Sequence, residues 1–268
     1  MTDYYIEDGV SEELKQLAWK TFFVSKERGV SFERHFPWIK TEQNIWSVEA
    51  RVFDKVVAGL IIRECKIARN SSEHIVGCVG LVCVDPDYRG NGIAGKMFET
   101  LIESAFSRNY DALTLWTSQH HIYQSHGFVV HDKTQYGTVI FPEDEVVPPL
   151  EYETEELSKN VGLPAFSHNG NLYKRGGTEV SVVWDDNGGV VVDWTGDDAS
   201  VISLFKSIFP KSFRINTRVG NSIINALHQQ KTHTNVSNAN LQMWLPLNNF
   251  ISISELESLY EFNVLNRI

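Results

Sequence analysis

A chain of 268 residues has room for one large domain or two small ones, and 42% hydrophobic with 22% charged residues is a globular composition that excludes a wholly disordered tail protein. The longest nearly unbroken apolar run, 75–84, covers ten residues against the ~18–20 of a membrane helix, and the first thirty residues carry Asp3, Glu7, Asp8, Glu12 and Glu13 and no apolar leader segment. Acidic residues outnumber basic ones in both halves, 21 to 15 up to position 150 and 13 to 9 beyond it, so neither half offers the basic face that nucleic acid requires.

Helix and strand signals alternate through the first half. Ser11 is placed to cap a helix over 12–23, with Leu14, Leu17, Ala18 and Phe22 on one face. A shorter helical stretch leads to His35 and Phe36 before Pro37. Strands are read at 46–53 and 56–67 around an Asp54-Lys55 turn. The continuous apolar run 75–84 suits a strand buried on both faces. A helix over 92–107 follows, with Ile93, Met97, Phe98, Leu101, Ile102 and Ala105 in one buried stripe. Then come a strand at 112–117, a short helix at 119–126, and strands 128–131 and 137–141 that close the sheet. That order is a mixed α/β layer, not a doubly wound sheet.

The segment 141–158 holds seven carboxylates, three prolines and no Lys or Arg. Proline and like-charge repulsion both favour extended chain, so 142–158 reads as a linker between domains at 1–141 and 159–268. Beyond it, strands are read at 173–183 and 190–194 around the Asp186-Asn187-Gly188-Gly189 turn. A helix opened by Asp197 or Asp198, a strand at 213–218, a helix at 221–228 and a strand at 241–247 complete a second α/β domain.

The chemistry is concentrated in Val82–Met97, VCVDPDYRGNGIAGKM. Its glycines admit positive φ and carry no Cβ, so backbone N–H groups can close around an anion, and the helix that follows adds its own N-terminal amides. Gly90, Gly92 and Gly95 spell G-x-G-x-x-G, but five residues separate the strand from the first of them. Asp111, at the right distance for a ribose-binding acid, stands before its strand rather than after it. A dinucleotide fold is therefore disfavoured.

The segment resembles the Gcn5-related N-acetyltransferase (GNAT) superfamily. The family's Gln/Arg-x-x-Gly-x-Gly/Ala is met by Arg89-Gly90-Asn91-Gly92-Ile93-Ala94, and its V-x-V-x-P by Val82-Cys83-Val84-Asp85-Pro86. Its Tyr-x-x-x-Gly-Phe is met by Tyr123-Gln124-Ser125-His126-Gly127-Phe128. The resemblance covers about 1–141 and implies acetyl-CoA as co-substrate. Its pyrophosphate would lie on the amides of Arg89, Gly90, Asn91, Gly92, Ile93 and Ala94, and its pantetheine arm along Val82, Cys83 and Val84. By the same resemblance Tyr123 is the general acid that protonates the leaving sulfur. The string TSQHHIY at 117–123 is similar to the enhanced intracellular survival branch, which adds Ser118 and Gln119 to the cofactor contacts. The second half is similar to that branch's degenerate central domain, while nothing here matches its third, sterol-carrier-like domain. That branch uses its chain terminus as base, a role not carried over to Ile268.

The implied activity is N-acetyl transfer to a primary amine of a small molecule or peptide, by direct attack in a ternary complex. The alternative is a non-catalytic acyl-CoA-binding regulator. Glu64, Glu73 and Asp85 are the candidate bases. His120, His121, His126 and His131 lack Cys or carboxylate partners at ligand spacing, so no metal is expected. Cys65, Cys78 and Cys83 show no metal-type pairing, as in a reduced, cytoplasmic protein. Strand alternation puts Cys78 and Cys83 on opposite faces. No nucleic-acid or membrane partner is expected, and the residues leave homo-oligomerisation open.

Overall fold

A computed structural model describes residues 1–41, 43–69, 72–142, 150–248 and 251–267. In chain order the strands are β1 (Asp3–Asp8), β2 (Ile45–Val52), β3 (Lys55–Arg69), β4 (Ser72–Val84), β5 (Ala112–Trp116), β6 (Val129–Val130), β7 (Thr134–Ile140), β8 (Glu153–Glu156), β9 (Asn169–Arg175), β10 (Thr178–Asp185), β11 (Gly188–Thr195), β12 (Ser212–Arg218), β13 (His233–Asn238) and β14 (Gln242–Pro246). The helices are α1 (Glu12–Phe22), α2 (Phe32–His35), α3 (Trp38–Thr41), α4 (Ile93–Ser107), α5 (His120–Gln124), α6 (Asp198–Ile208), α7 (Ser222–Gln229) and α8 (Ile253–Leu259).

The chain divides into two compact units, one of Met1–His131 with Leu241–Phe262 and Arg267–Ile268, the other of Asp132–Asn240 with Asn263–Asn266. The first unit is built on a sheet of order β1-β2-β3-β4-β5-β14-β6. Ser11 caps α1 as expected, its side chain accepting from the Leu14 amide, and Leu14, Leu17 and Ala18 are buried. Phe23, rather than Phe22, completes that buried stripe. A two-residue turn at Phe53 and Asp54, both with positive φ, joins β2 to β3 one position earlier than predicted. α4 lies over one face of the sheet, where Met97, Phe98, Leu101 and Ala105 meet Val48, Leu60, Val79 and Leu113. Val76, Cys78, Ala112 and Trp244 form a second core on the opposite face with Leu256 of α8.

The second unit repeats this plan. Its order, read from the other edge, is β8-β9-β10-β11-β12-β7-β13. Four antiparallel strands lead through a crossover helix to a parallel fifth strand, β4 to β5 in one unit and β11 to β12 in the other. A parallel crossover of this kind needs a connection of a dozen residues or more, which α4 and α6 supply with their flanking loops.

Three expectations are corrected here. The strand predicted at 137–141 does not close the first sheet: β7 pairs with β12 and β13 in the second. The strand predicted at 241–247 does not belong to the second half: β14 sits between β5 and β6, with Met243 and Trp244 wholly buried. Each sheet thus takes as its sixth strand one that the sequence reading assigned to the other half of the chain. The run 173–183 is two strands, broken at Gly176, whose φ of +56° turns the chain. Of the proposed linker 142–158, residues 143–149 lie outside the described residues. Part of the remainder forms β8, which pairs with β9 and offers Glu155 to Lys174 at 2.8 Å.

This exchange makes a prediction against the sequence-derived boundary. A fragment of residues 1–141 lacks β14 and α8, leaving the outer edge of β5 and the Val76, Cys78 and Ala112 face without cover. It is expected to show no cooperative thermal transition by circular dichroism, whereas the full chain melts cooperatively. A fragment that melts like the full chain would restore the boundary at 141.

Candidate active site

The first unit's sheet opens at its centre. β4 and β5 are paired through Val76↔Ala112, Gly77↔Leu113 and Cys78↔Thr114, and no further. Beyond that point β4 runs on to Val84 with a ladder partner only on its β3 side. Backbone amides and carbonyls in a sheet interior need partners, so the free edge of Val82–Val84 is an invitation to an extended ligand.

A bulge shapes that edge. Leu81 has φ +51°, and the register to β3 slips between Ile61↔Gly80 and Gly59↔Cys83. Side-chain alternation therefore inverts: Val79, then Val82 and Val84, all pack on the α4 side. Cys83 consequently shares a face with Cys78, contrary to the alternation expected from sequence. Five residues of strand, roughly 16 Å, still keep those two apart. Cys83 is buried, its Sγ 3.7 Å from the Gly59 carbonyl, and burial pushes its thiol up to about 12. It is no nucleophile.

Eight residues, 85–92, connect β4 to α4. Asp85 opens them with a short turn, its carboxylate accepting from the Asp87 amide at 3.1 Å. The Arg89 guanidinium folds back and donates to the Val84 carbonyl at 3.1 Å, and Asn91 Nδ2 donates to the carbonyls of Tyr88 and Arg89. Gly90 and Gly92 take φ of +79° and +71°, and the space where a Cβ would stand is open at both. α4 begins at Gly92 with no side-chain cap. Among the described residues, the amides of Gly90, Asn91, Gly92, Ile93, Ala94 and Gly95 meet no acceptor. The carbonyls of Val84, Tyr88 and Arg89 are thus occupied by side chains of the loop while six successive amides stand free at the positive end of a 15-residue helix. Ile93 takes part through its backbone alone, because its side chain is in the core. Lys96, in the first turn of α4, is paired with Glu99 at 2.8 Å on the surface.

The tyrosine motif forms α5 and the turn after it. Gly127, at φ +87°, lets the chain reverse, so that the amides of His126 and Phe128 both donate to the Tyr123 carbonyl and Phe128 drops into the core. The Tyr123 ring stands edge-on to Phe98 of α4 at 5.4 Å and to Phe128 at 6.2 Å. Its hydroxyl has no hydrogen-bond partner among the described residues, and burial raises its pKa. Ser118 and Gln119 are exposed just past the end of β5, with the Gln119 amide donating to Thr117.

The candidate bases scatter. Glu64 accepts from the Tyr110 hydroxyl at 2.6 Å and from Lys66 at 2.9 Å, opposite Gly77 rather than the open end of β4. Glu73 pairs with Ala68, eleven residues or roughly 35 Å of strand from Val84. Asp85 alone adjoins the opening, and it is held by the turn and by Lys55 at 3.6 Å. Sequence reasoning missed Glu49, a wholly buried carboxylate on β2. Its Oε2 meets Arg51 at 2.8 Å, and its Oε1 has no partner. Its signal was a glutamate amid Trp46, Val48 and Ala50 in a strand covered on both faces. The register Glu49↔Gly59↔Cys83 sets it two strands, about 10 Å, from Cys83. Trp116, at the parted end of β5, was also missed; the Arg267 guanidinium lies over its ring at 5.6 Å. The histidines do not converge: His126 stacks on Phe98 and His131 meets Glu257 at 3.1 Å. No metal-binding cluster occurs among the described residues.

The second unit closes the equivalent position. Only Gly196 and Asp197 lie between β11 and α6, and Asp197 caps that helix by accepting from the Ser200 amide at 3.0 Å and hydroxyl at 2.7 Å. Those bonds hold its carboxyl below the usual range. A carboxylate of the chain stands where α4 leaves room for an anion.

Comparison with known proteins agrees with this geometry. Residues 6–130, just under half of the chain, match the family model of the acetyltransferase (GNAT) domain. The chain's fold is similar to a probable N-acyltransferase of Enterococcus faecalis V583 (TM-score 0.65, 13% identity, 92% of this chain and 73% of that one). It is also similar to a GCN5-related N-acetyltransferase of Anabaena variabilis (0.62, 12%, 92% and 73%) and to Eis1 of Mycobacterium abscessus (0.57, 12%, 92% and 74%). At such identities the likeness is one of fold. No curated protein sequence matches the chain.

Gly92→Val is the sharpest test of the loop. The left-handed conformation costs a β-branched residue about 1–2 kcal/mol, and its side chain fills the space over the free amides. Coenzyme A affinity, measured by titration calorimetry, is expected to fall at least tenfold in a protein that still melts cooperatively. Unchanged affinity would take the cofactor away from this loop.

Proposed function

We propose that the chain is an acetyl-CoA-dependent N-acetyltransferase acting on a primary amine of a small molecule or peptide, by direct attack in a ternary complex. The observation that carries this reading is the run of free amides from Gly90 to Gly95, set beside the unpaired edge of β4. A pyrophosphate fits the first and an amide-bearing chain such as pantetheine fits the second.

Acetyl-CoA supplies an acyl group activated as a thioester. The free amides from Gly90 to Ala94 bind and orient the phosphates, whereas the Arg89 amide, assigned to them by the sequence, is taken by the Pro86 carbonyl. Val82 and Val84 offer backbone groups while their side chains stay in the core, and Ser118 and Gln119 flank the end of β5. Tyr123 holds the proton that the leaving sulfur takes up. Its raised pKa keeps the phenol neutral well above neutral pH, and with no partner of its own the hydroxyl is free to donate. Among the described residues no helix is long and apolar enough to cross a membrane. We read the protein as cytoplasmic.

Acetyl-CoA-dependent thiol release across polyamines, aminoglycosides, amino acids and peptides tests the activity. Binding of acetyl-CoA without turnover on any of these amines would favour a non-catalytic regulator. Tyr123→Phe then tests the acid. The ring contacts persist, so acetyl-CoA should still bind, while general-acid assistance of ~10²–10⁴-fold should be lost mainly from kcat. A neutral hydrogen bond alone would cost only ~0.5–1.5 kcal/mol, roughly tenfold or less. Turnover within a few-fold of wild type would assign the proton to another group.

A further inference from the structure

Two of the three thiols touch. Cys65 on β3 and Cys78 on β4 have their sulfurs 3.8 Å apart, and neither is in a disulfide. The strand register accounts for this. Arg63 is opposite Cys78 and Cys65 is opposite Val76, so the two cysteines are diagonal neighbours on one face of an antiparallel pair. That face is the one opposite α4, and there Cys78 is fully buried whereas Cys65 is partly exposed. The backbone around them is pinned, because the Tyr260 hydroxyl lies 2.9 Å from the Cys65 carbonyl and 2.6 Å from that of His74.

We propose that Cys65 and Cys78 form a dithiol oxidation site that closes to an intramolecular disulfide under a two-electron oxidant of the peroxide class. Cys65 is the sulfur that the oxidant reaches. It loses two electrons to the peroxide O–O bond, giving a sulfenic acid and one water. The Cys78 sulfur then attacks the Cys65 sulfur: the S–S bond forms, the S–O bond breaks, and the hydroxyl leaves with the Cys78 proton as a second water. Two thiols and one hydrogen peroxide thus give one disulfide and two waters. The sulfurs must close by about 1.8 Å to reach a bond of ~2.05 Å, with the strand pairing already holding the backbones together.

Cys83 is an internal control. It lies on the same face but about 16 Å of strand from Cys78, is only 2% exposed, and has a thiol held protonated by burial. The site is independent of acyl transfer. Cys78 is the last residue of β4 paired with β5, and the two thiols lie on the face of the sheet opposite α4. A bridge there would close a hairpin loop of about 14 residues and restrict the unfolded chain.

Intact mass spectrometry of the full chain tests the proposal. The protein is treated with hydrogen peroxide, quenched, denatured and alkylated. The expected product is two mass units lighter before alkylation, carries a single alkyl group on Cys83, and yields a digest fragment joining the peptides of Cys65 and Cys78. Dithiothreitol should restore three alkylatable thiols, and the oxidised form should melt at a higher temperature than the reduced one. Cys65→Ser, a change at a partly exposed position, should retain two alkylatable thiols or gain oxygen, and should not lose two mass units. Three alkylated cysteines after peroxide treatment, oxygen addition in place of the two-unit loss, or a bridge involving Cys83 would each overturn the proposal. The wild-type spectrum alone decides, so failure of the variant to fold leaves the outcome intact.

Discussion

The parting of β4 from β5 is the constraint on which the rest of the first unit depends. A parallel pair that stops after Cys78↔Thr114 leaves backbone donors and acceptors in the middle of a sheet, where they are costly unless something binds them. The surrounding structure keeps the gap from closing. The bulge at Leu81 re-aims the end of β4, so that Val82 and Val84 anchor it to the α4 side. On its other side β5 is held by β14 through Thr114 Oγ1, which donates to the Met243 carbonyl at 3.0 Å and accepts from Gln242 at 3.0 Å. A strand gripped on one side can stay open on the other.

That requirement makes the strand exchange intelligible. β6 offers only two residues, Val129 and Val130, and could not by itself cover the outer edge of β5. β14 supplies five paired positions and the buried Met243 and Trp244. In the second unit β7 has the matching place between β12 and β13. The chain after β6 therefore has to leave the first unit before returning to it. Sequence order and spatial unit cannot coincide.

Much of the site was legible because it is local. The two positive-φ glycines, the uncapped start of α4 and the Gly127 turn that seats Phe128 are written within a few residues of where they act, and so are the caps at Ser11, Asp197 and Asn221. What failed to show was relational. The strand propensity of β7 and β14 was visible, but their partners lie 72 to 134 residues away, and alternation alone does not say which sheet a strand joins. The face of Cys83 was misread because a bulge formed by a leucine leaves no glycine to announce it. β13, with its polar HTNVSN, and α8, whose capping box joins Ser252 and Glu255, were missed altogether. The proximity of Cys65 to Cys78 is likewise a property of β3–β4 register and not of either strand's sequence.

The two units then show what separates an anion site from its structural copy. Both have the four antiparallel strands, the crossover helix and the parallel fifth strand, so neither topology nor helix dipole distinguishes them. The difference is in the connection. Eight residues with left-handed glycines, in which Arg89 and Asn91 bind the carbonyls of Val84, Tyr88 and Arg89, leave six amides without acceptors at the start of α4. Two residues ending in Asp197 hand the first-turn donors of α6 to a carboxylate fixed in the chain. Loss of an anion site thus needs no change of fold. A shortened loop and one acidic cap satisfy the helix from within, and a helix so satisfied has little left to offer a phosphate.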